Sequence, residues 1–296
     1  MASNTPNEAA QVAPPSTLRE ALHLMLANAE TIQEHGSDKI IHAARKEMKR
    51  ARAALRLLRP ALGDAVYRRA NSQVRDAARL LTPLRDATVL LDSLKFVRRS
   101  KDKRTHRIYA NHLQYLLTDE LRSSHGRLMA ESLMRSAAIL QALDRHIAAL
   151  PAQESDRLTA SQEIQKVYKA GRKALARAKR HVGTGSLHEW RKESQYLSNQ
   201  AELIRTVFHV KLKKIGRRSR KLARLLGEDH DLALLRQKIQ EVRSGKGTLL
   251  DGGAFSRFKR RIQRRRDSLQ SKAFRLGKRL YARKRISQKA LSATQG

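Results

Sequence analysis

The stretch from Ile40 to Gly63, "IIHAARKEMKRARAALRLLRPALG", decides how the rest of the chain is read. It holds one histidine and seven arginines or lysines against a single acid, Glu47. At about 100° per residue, Ile40, Ala44, Ala51, Leu55, Leu58 and Leu62 share one side of a helix. His42, Arg45, Lys46, Lys49, Arg52 and Arg56 gather on the opposite side, with Arg50 and Arg59 flanking them. One face suits a helical core and the other is almost purely cationic. A solvated helix normally interleaves acids four residues away. Here Lys46 faces Arg50 and Arg52 faces Arg56, and each such pair costs about 0.2–0.5 kcal/mol. The arrangement is locally unfavourable, and a bound polyanion would relieve it.

The composition says the same of the whole chain. Its 296 residues carry a formal net charge of +36, with a 40% hydrophobic fraction that fits a globular fold rather than a basic tail. Self-repulsion at this charge favours polyanionic partners: polyphosphate, nucleic acid or an anionic membrane. There are no cysteines, which excludes disulfides and cysteine-based zinc sites. No run approaches the length of about 18 apolar residues that would span a membrane. The first apolar stretch, "LREALHLMLANAE" from Leu18, is interrupted by Arg19, Glu20 and His23 and follows a polar start, so it is not read as a signal peptide. A cytoplasmic protein with no membrane insertion is expected.

Along the chain, residues 1–16 read as a disordered leader and residues 17–150 as a first helical bundle interrupted only at Pro60 and Pro83. "PAQESD" from Pro151 marks a linker over residues 151–157. A second bundle spans 158–285, broken at "VGTGS" from Val182 and at "GKGTLLDGG" from Gly245, and 286–296 reads as a flexible basic tail. The two bundles repeat one another. His42, Arg45, Lys46 and Arg59 recur as His188, Arg191, Lys192 and Arg205 at an offset of 146 residues. Arg68, Arg75 and Arg79 recur as Lys213, Arg220 and Arg224 at an offset of 145, and "LLTPLRDATVLL" from Leu80 aligns with "LLGEDHDLALL" from Leu225, pairing Asp86 with Asp231. A fixed period of this kind predicts an all-α fold of two pseudo-symmetric bundles. Their four cationic stripes would join into one surface.

These residues resemble the CHAD family, the conserved histidine α-helical domain. The first half carries the family's pattern as His42, Arg45, Lys46, Lys49, Arg50 and Arg52. The second carries "HEWRK" at His188–Lys192, and "LGEDHDL" from Leu226 also resembles the family's sequence. The resemblance covers nearly all of residues 16–285. It implies two four-helix bundles, a basic central cleft that binds inorganic polyphosphate, and association with polyphosphate granules in some bacteria. The second half departs from the pattern at Gln195, Tyr196, Ser198 and Asn199, which leaves the first half as the stronger binding half.

The chemistry of the predicted site follows from its residue types. Polyphosphate is a flexible chain with about one negative charge per phosphate, and Arg forks with compact Lys charges suit such a ligand. Candidate binding residues are His42, Arg45, Lys46, Lys49, Arg50, Arg52, Arg56, Arg68, Arg75 and Arg79 in the first half. In the second they are His188, Arg191, Lys192, Arg205, Lys213, Arg220 and Arg224. Ser186 with Glu189 reads as a capping box that places His188 and Arg191 in the first turns of a helix. Ser37 or Asp38 would start the helix that carries His42, and anions are favoured at such N-termini.

No acid, base, nucleophile or metal cluster suggests an enzyme, and no cofactor or metal is expected. "GEDHD" at Gly227 is the densest acidic group, and Asp86 and Asp231 are read as capping or pairing residues. "SGKGT" at Ser244 lacks the first glycine and the preceding strand of a phosphate loop, and is read as a flexible basic loop. The alternative function is non-specific nucleic-acid binding at low salt, through runs such as the one from Arg257 to Arg285. Against base stacking, aromatics make up only 4% of the chain, and Trp190 falls on the apolar face of its helix. Oligomeric state is not read from the sequence.

Overall fold

The computed structural model describes residues 14–31, 38–83, 89–90, 92–93, 111, 127–151, 156–245 and 252–292. Its helices are α1 (Leu18–Thr31), α2 (Asp38–Leu62), α3 (Asp64–Leu80), α4 (Arg127–Ala149), α5 (Arg157–Arg180), α6 (Thr184–Phe208), α7 (Lys213–Gly245), α8 (Gly252–Leu280) and the single turn α9 (Gln288–Leu291). Among the described residues no strand forms, and no helix is long and apolar enough to cross a membrane.

Among the described residues, α1–α8 pack in two rings of four. α1 lies on α2 and α4, α2 on α3, and α3 on α4; then α5 lies on α6, α6 on α7, α7 on α8, with a smaller contact from α5 to α8. The halves meet mainly through α2 and α6, flanked by contacts of α2 with α5 and of α1 with α6. Replacing each helix of the first ring by its counterpart in the second reproduces the same set of contacts.

The central position of α2 explains a burial wider than the seam read from periodicity. Ala44, Ala51, Leu55 and Leu58 are buried as expected, but so are Ile41, Met48, Ala53, Ala54 and Leu57. The added residues are needed because α2 has neighbours on both sides. Alanines at the crossing let the second ring approach closely without a large side chain to accommodate.

Helix ends also follow the repeat. Gly63, between α2 and α3, has φ 76°, and His209, between α6 and α7, has φ 50°; these are the two positive-φ residues described, and they stand 146 residues apart. The positions coincide but the conformations differ: Gly63, with ψ 159°, occupies a region open mainly to glycine, whereas His209, with ψ 40°, is in the left-handed helical region at a strain of about 1–2 kcal/mol. No Gly or Pro announces the turn at 209, so only the alignment with Gly63 could have located it.

Other boundaries differ from the reading above. Pro60 does not end its helix: α2 runs on to Leu62, and the amide of Gly63 donates to Arg59 O at 3.0 Å. So late in the helix, the missing amide hydrogen forfeits one bond without reorganising a turn. The linker ends in a cap, as Asp156 Oδ1 accepts from the amide of Thr159 at 2.7 Å and starts α5. The helical stretch read as reaching 285 stops at Leu280. The segment read as a flexible tail is docked through Ser292, with Ile286 and Leu291 buried. Tyr168 Oη donates towards Leu280 O and Arg283 O at 3.0 and 3.1 Å. Gln165 exchanges two hydrogen bonds with the backbone of Ile286, at 2.8 and 3.0 Å. Two apolar side chains and these fixed carbonyls are what a basic composition conceals.

The second ring is packed tightly around Trp190, which is fully buried and stacked on Phe274 with ring centroids 5.3 Å apart. A Cβ placed on Gly277 would meet the Trp190 indole at 2.3 Å. Gly277→Ala is therefore expected to destabilise the protein by about 1–3 kcal/mol through overpacking. Urea denaturation checks this, with a lowered midpoint and an unchanged slope; an unaltered midpoint would refute the packing argument.

Candidate functional site

Two adjoining cavities open between α2, α3, α6 and α7. The larger, of about 460 Å³, is bordered by Arg45, Lys49, Arg52, Thr82, Val89, His188, Arg191, Lys192, Gln195, Tyr196, His230, Asp231 and Leu234. The smaller, of about 170 Å³, shares Arg45, Lys49, Arg52 and Thr82 and adds Met48, Arg75, Ala78 and Arg79. Among the described residues, Asp231 is the one carboxylate lining either cavity. Eight of the residues singled out by sequence therefore converge here, from the three helices α2, α3 and α6: Arg45, Lys49, Arg52, Arg75, Arg79, His188, Arg191 and Lys192.

Each cation is set by its helix. Arg45 is half-buried and donates to Ala78 O and, at 3.0 Å, to Thr82 Oγ1, which pins it against α3. Its counterpart Arg191 lies over Gly227 and 4.0 Å from Asp231 on α7. Thr82 and Gly227 are themselves counterparts in the repeat, so each arginine crosses to the same point of the next helix. Arg52 donates from Nε to Asn71 Oδ1 at 2.9 Å and lies 5.9 Å from the centre of the Tyr196 ring. Arg75 and Arg79 reach the smaller cavity from α3 while contacting Asp76 at 3.3 and 3.4 Å. Lys192 is paired with Glu189 at 3.1 Å. His188 borders the larger cavity with its ring 5.2 Å from that of His230. Partial burial, then the charge of Arg191, hold His188 below its ordinary value.

The other sequence candidates line neither cavity. His42 and Lys46 are exposed on α2, and Arg50 is paired with Glu47 at 3.0 Å. Arg56 lies 5.0 Å from the Tyr196 ring centre and 3.5 Å from Glu193. Arg68, Arg205 and Lys213 are exposed away from both cavities. Arg220 is paired with Glu202, and Arg224 sits 4.0 Å from Glu228. The expected stripe on α7 thus gives way to His230, Asp231 and Leu234, which lie further along that helix. α7 is long, and it crosses the cavity past its cationic first half.

Three sequence readings are corrected by local geometry. Ser186 is not an N-cap: α6 starts at Thr184 after Gly183, whose amide donates to Ser186 Oγ at 3.2 Å, so His188 lies in the second turn. Gln195, Tyr196 and Asn199, read as a thinning of the second half, face α2. Asn199 Nδ2 donates to Lys49 O at 3.2 Å and Gln200 Nε2 to Ala53 O at 3.3 Å, while Tyr196 receives Arg52 and Arg56. Burial pushes the Glu193 carboxyl up, with Arg56 and Lys192 pulling the other way. The "GEDHD" group divides its acids: Glu228 and Asp229 accept from Arg265 and Arg266 on α8 at 3.0 Å each, and Asp231 turns to Arg191. No group of three metal-ligating side chains occurs among the described residues. Ser37, Asp86 and most of the glycine-rich loop after Gly245 lie outside the described residues.

This architecture defines a class of all-α domains built from two rings of four helices. The chain belongs to the CHAD domain family, whose model matches residues 16–240; that family is a binding domain associated with polyphosphate. Among solved structures, the crystal structure of the CHAD domain from the plant Ricinus communis matches with a TM-score of 0.58 at 16% identity, covering 96% of this chain and 99% of that one. PptA from Streptomyces chartreusis matches with a TM-score of 0.63 at 12% identity, covering 92% of this chain and all of the other. No curated protein matches the chain.

The role of Tyr196 can be measured. Tyr196→Phe keeps the ring under both guanidinium groups, whereas Tyr196→Leu removes it. The leucine variant is expected to be less stable than the phenylalanine variant by about 1–2 kcal/mol, two cation–π contacts at about 0.5–1 kcal/mol each. Equal denaturant midpoints for the two would refute the contact.

Proposed function

We propose that the chain binds inorganic polyphosphate without catalysing its turnover, along the two cavities between α2, α3, α6 and α7. The observation that carries the reading is the convergence of Arg45, Lys49, Arg52, Arg75, Arg79, Arg191 and Lys192 on one opening where, among the described residues, Asp231 is the one carboxylate. Seven cations in such a space repel one another. A thin chain with a negative charge on every unit offsets that repulsion with charge-assisted hydrogen bonds. The ligand needs no base recognition, and among the described residues at the two cavities no open aromatic platform is offered. Trp190 is buried, and the rings of Tyr196 and Tyr67 already carry Arg52 with Arg56 and Arg59 respectively. On the same reading, the protein is retained at polyphosphate granules when these are present.

Two measurements test this. Labelled long-chain polyphosphate should resist displacement by duplex DNA of equal charge at about 150 mM salt, where non-specific contacts are weak. Displacement by DNA at equal charge would make the protein a general polyanion binder. The second compares two triple substitutions of identical charge change. Replacing Lys49, Arg52 and Arg75 by Ala should weaken polyphosphate binding on the order of 1000-fold, since each of the three charge-assisted contacts is worth roughly tenfold. Replacing Arg205, Lys213 and Arg220 by Ala should change it by less than about fivefold, because distant charges are screened. Equal losses would mean that net charge, not the cavity, governs binding.

A further inference from the structure

His230 lies within the "LGEDHDL" segment but was not among the binding residues read from the sequence; its ring borders the larger cavity on α7 and lies 5.2 Å from that of His188 on α6, tilted by 51°. We propose that His230 is a further ligand-binding residue of this cavity, and that it and His188 act as a pair coupling polyanion binding to proton uptake. The proposal rests on the polyphosphate reading and concerns the regulation of that same site.

The charges facing the pair set the sign. On α6 they are Arg191, Lys192 and Glu189, the last two paired at 3.1 Å. On α7 the facing acid is Asp231, 4.0 Å from Arg191, while Glu228 and Asp229 are turned to Arg265 and Arg266 of α8. Across the cavity α2 presents Arg45, Lys49 and Arg52. α5, packed on another side of α6, carries Arg177, Lys179 and Arg180 in its last turn, all exposed and none lining the cavity. The surroundings are cationic, and a proton on either imidazole adds a like charge to them. Two adjacent rings also oppose each other's protonation. A phosphate chain entering the cavity reverses the local field, and its oxygens accept hydrogen bonds from an imidazolium that a neutral ring offers only in part.

The repeat sharpens the point. The alignment that pairs Asp86 with Asp231 places Arg85 opposite His230. An arginine is a permanent cation, whereas a histidine becomes one only when the ligand makes it favourable. In the aligned sequences, the second half thus has a titratable side chain at the position where the first has a permanently charged one. With the imidazole range raised by the ligand, affinity increases as pH falls and the gain is lost as pH rises through the bound-state value. Near the ordinary value of about 6.5, affinity is expected to be on the order of tenfold higher at pH 6 than at pH 8.

Isothermal titration of the full chain with long-chain polyphosphate, near neutral pH in two non-phosphate buffers of different ionisation enthalpy, counts the protons exchanged. Internal phosphates of a long chain stay ionised over this range, so the count reports on the protein. The wild type is expected to take up about one proton per site. His230→Arg should bind within a few-fold of wild type but with the uptake reduced by half or more. His230→Gln should show the same reduced uptake with weaker binding, and serves if the arginine variant does not fold. The double variant His188→Gln/His230→Gln should fall to the background left by the other histidines. Absence of wild-type binding would overturn the polyphosphate reading itself. Binding with heats independent of buffer would overturn the proton coupling alone, and wild-type uptake in both His230 variants would remove His230 from the site.

Discussion

Arg52 and Arg56 reach from α2 onto the ring of Tyr196 on α6, and the two halves of the molecule are joined around that contact. It answers an electrostatic constraint. If α6 repeated the cations of α2 where the two helices cross, like charges would face each other in a space too poor in water to screen them. The crossing is instead complementary. The repeat positions of Lys49, Arg50 and Arg52 are occupied on α6 by Gln195, Tyr196 and Ser198. Neutral amides of Asn199 and Gln200 donate to carbonyls of α2, and Glu193 approaches Arg56. The repeat is broken where the halves touch because self-complementary cationic surfaces cannot touch.

That same asymmetry decides which cations remain available. On α2 and α3, Lys49, Arg52, Arg75 and Arg79 end at the cavities. On α7, Arg220 and Arg224 have Glu202 and Glu228 beside them. Exposed pairs of this kind contribute about 0–1 kcal/mol, so they do not hold the fold together. Arg75 and Arg79 likewise share Asp76, so what separates the two arms is that Arg75 and Arg79 line a cavity and Arg220 and Arg224 do not. Stability comes from the apolar core and from a few buried polar links; Asp229 with Arg266, supported by Gln270, is the most enclosed ion pair among the described residues. A charge of +36 is tolerated because it is carried at the surface and around the cavities rather than within the rings.

Kinship at 12–16% identity with the two solved structures is understandable on these terms. Helix rings require apolar positions at helical spacing, and many side chains of similar size satisfy them. The His-led helices keep the repeat visible in this chain because their polar residues are constrained by position as well as by type.

Periodicity and charge in the stretch from Ile40 to Gly63 determined a helix with a core face and a cationic face, and the 146-residue offset determined that the motif occurs twice. The all-α class and the burial of Trp190 follow from spacing alone, because helical geometry ties sequence distance to direction. So do the breaks near Val182 and Gly245. Arg45, Lys49, Arg52, His188, Arg191 and Lys192 were legible as a group for the same reason. The docking of Ile286 and Leu291, the pairing of Arg220 with Glu202, and the approach of His230 to His188 were not. Each depends on how two helices are placed against one another. A one-dimensional pattern records which side of a helix is charged, but not which neighbour that side will meet.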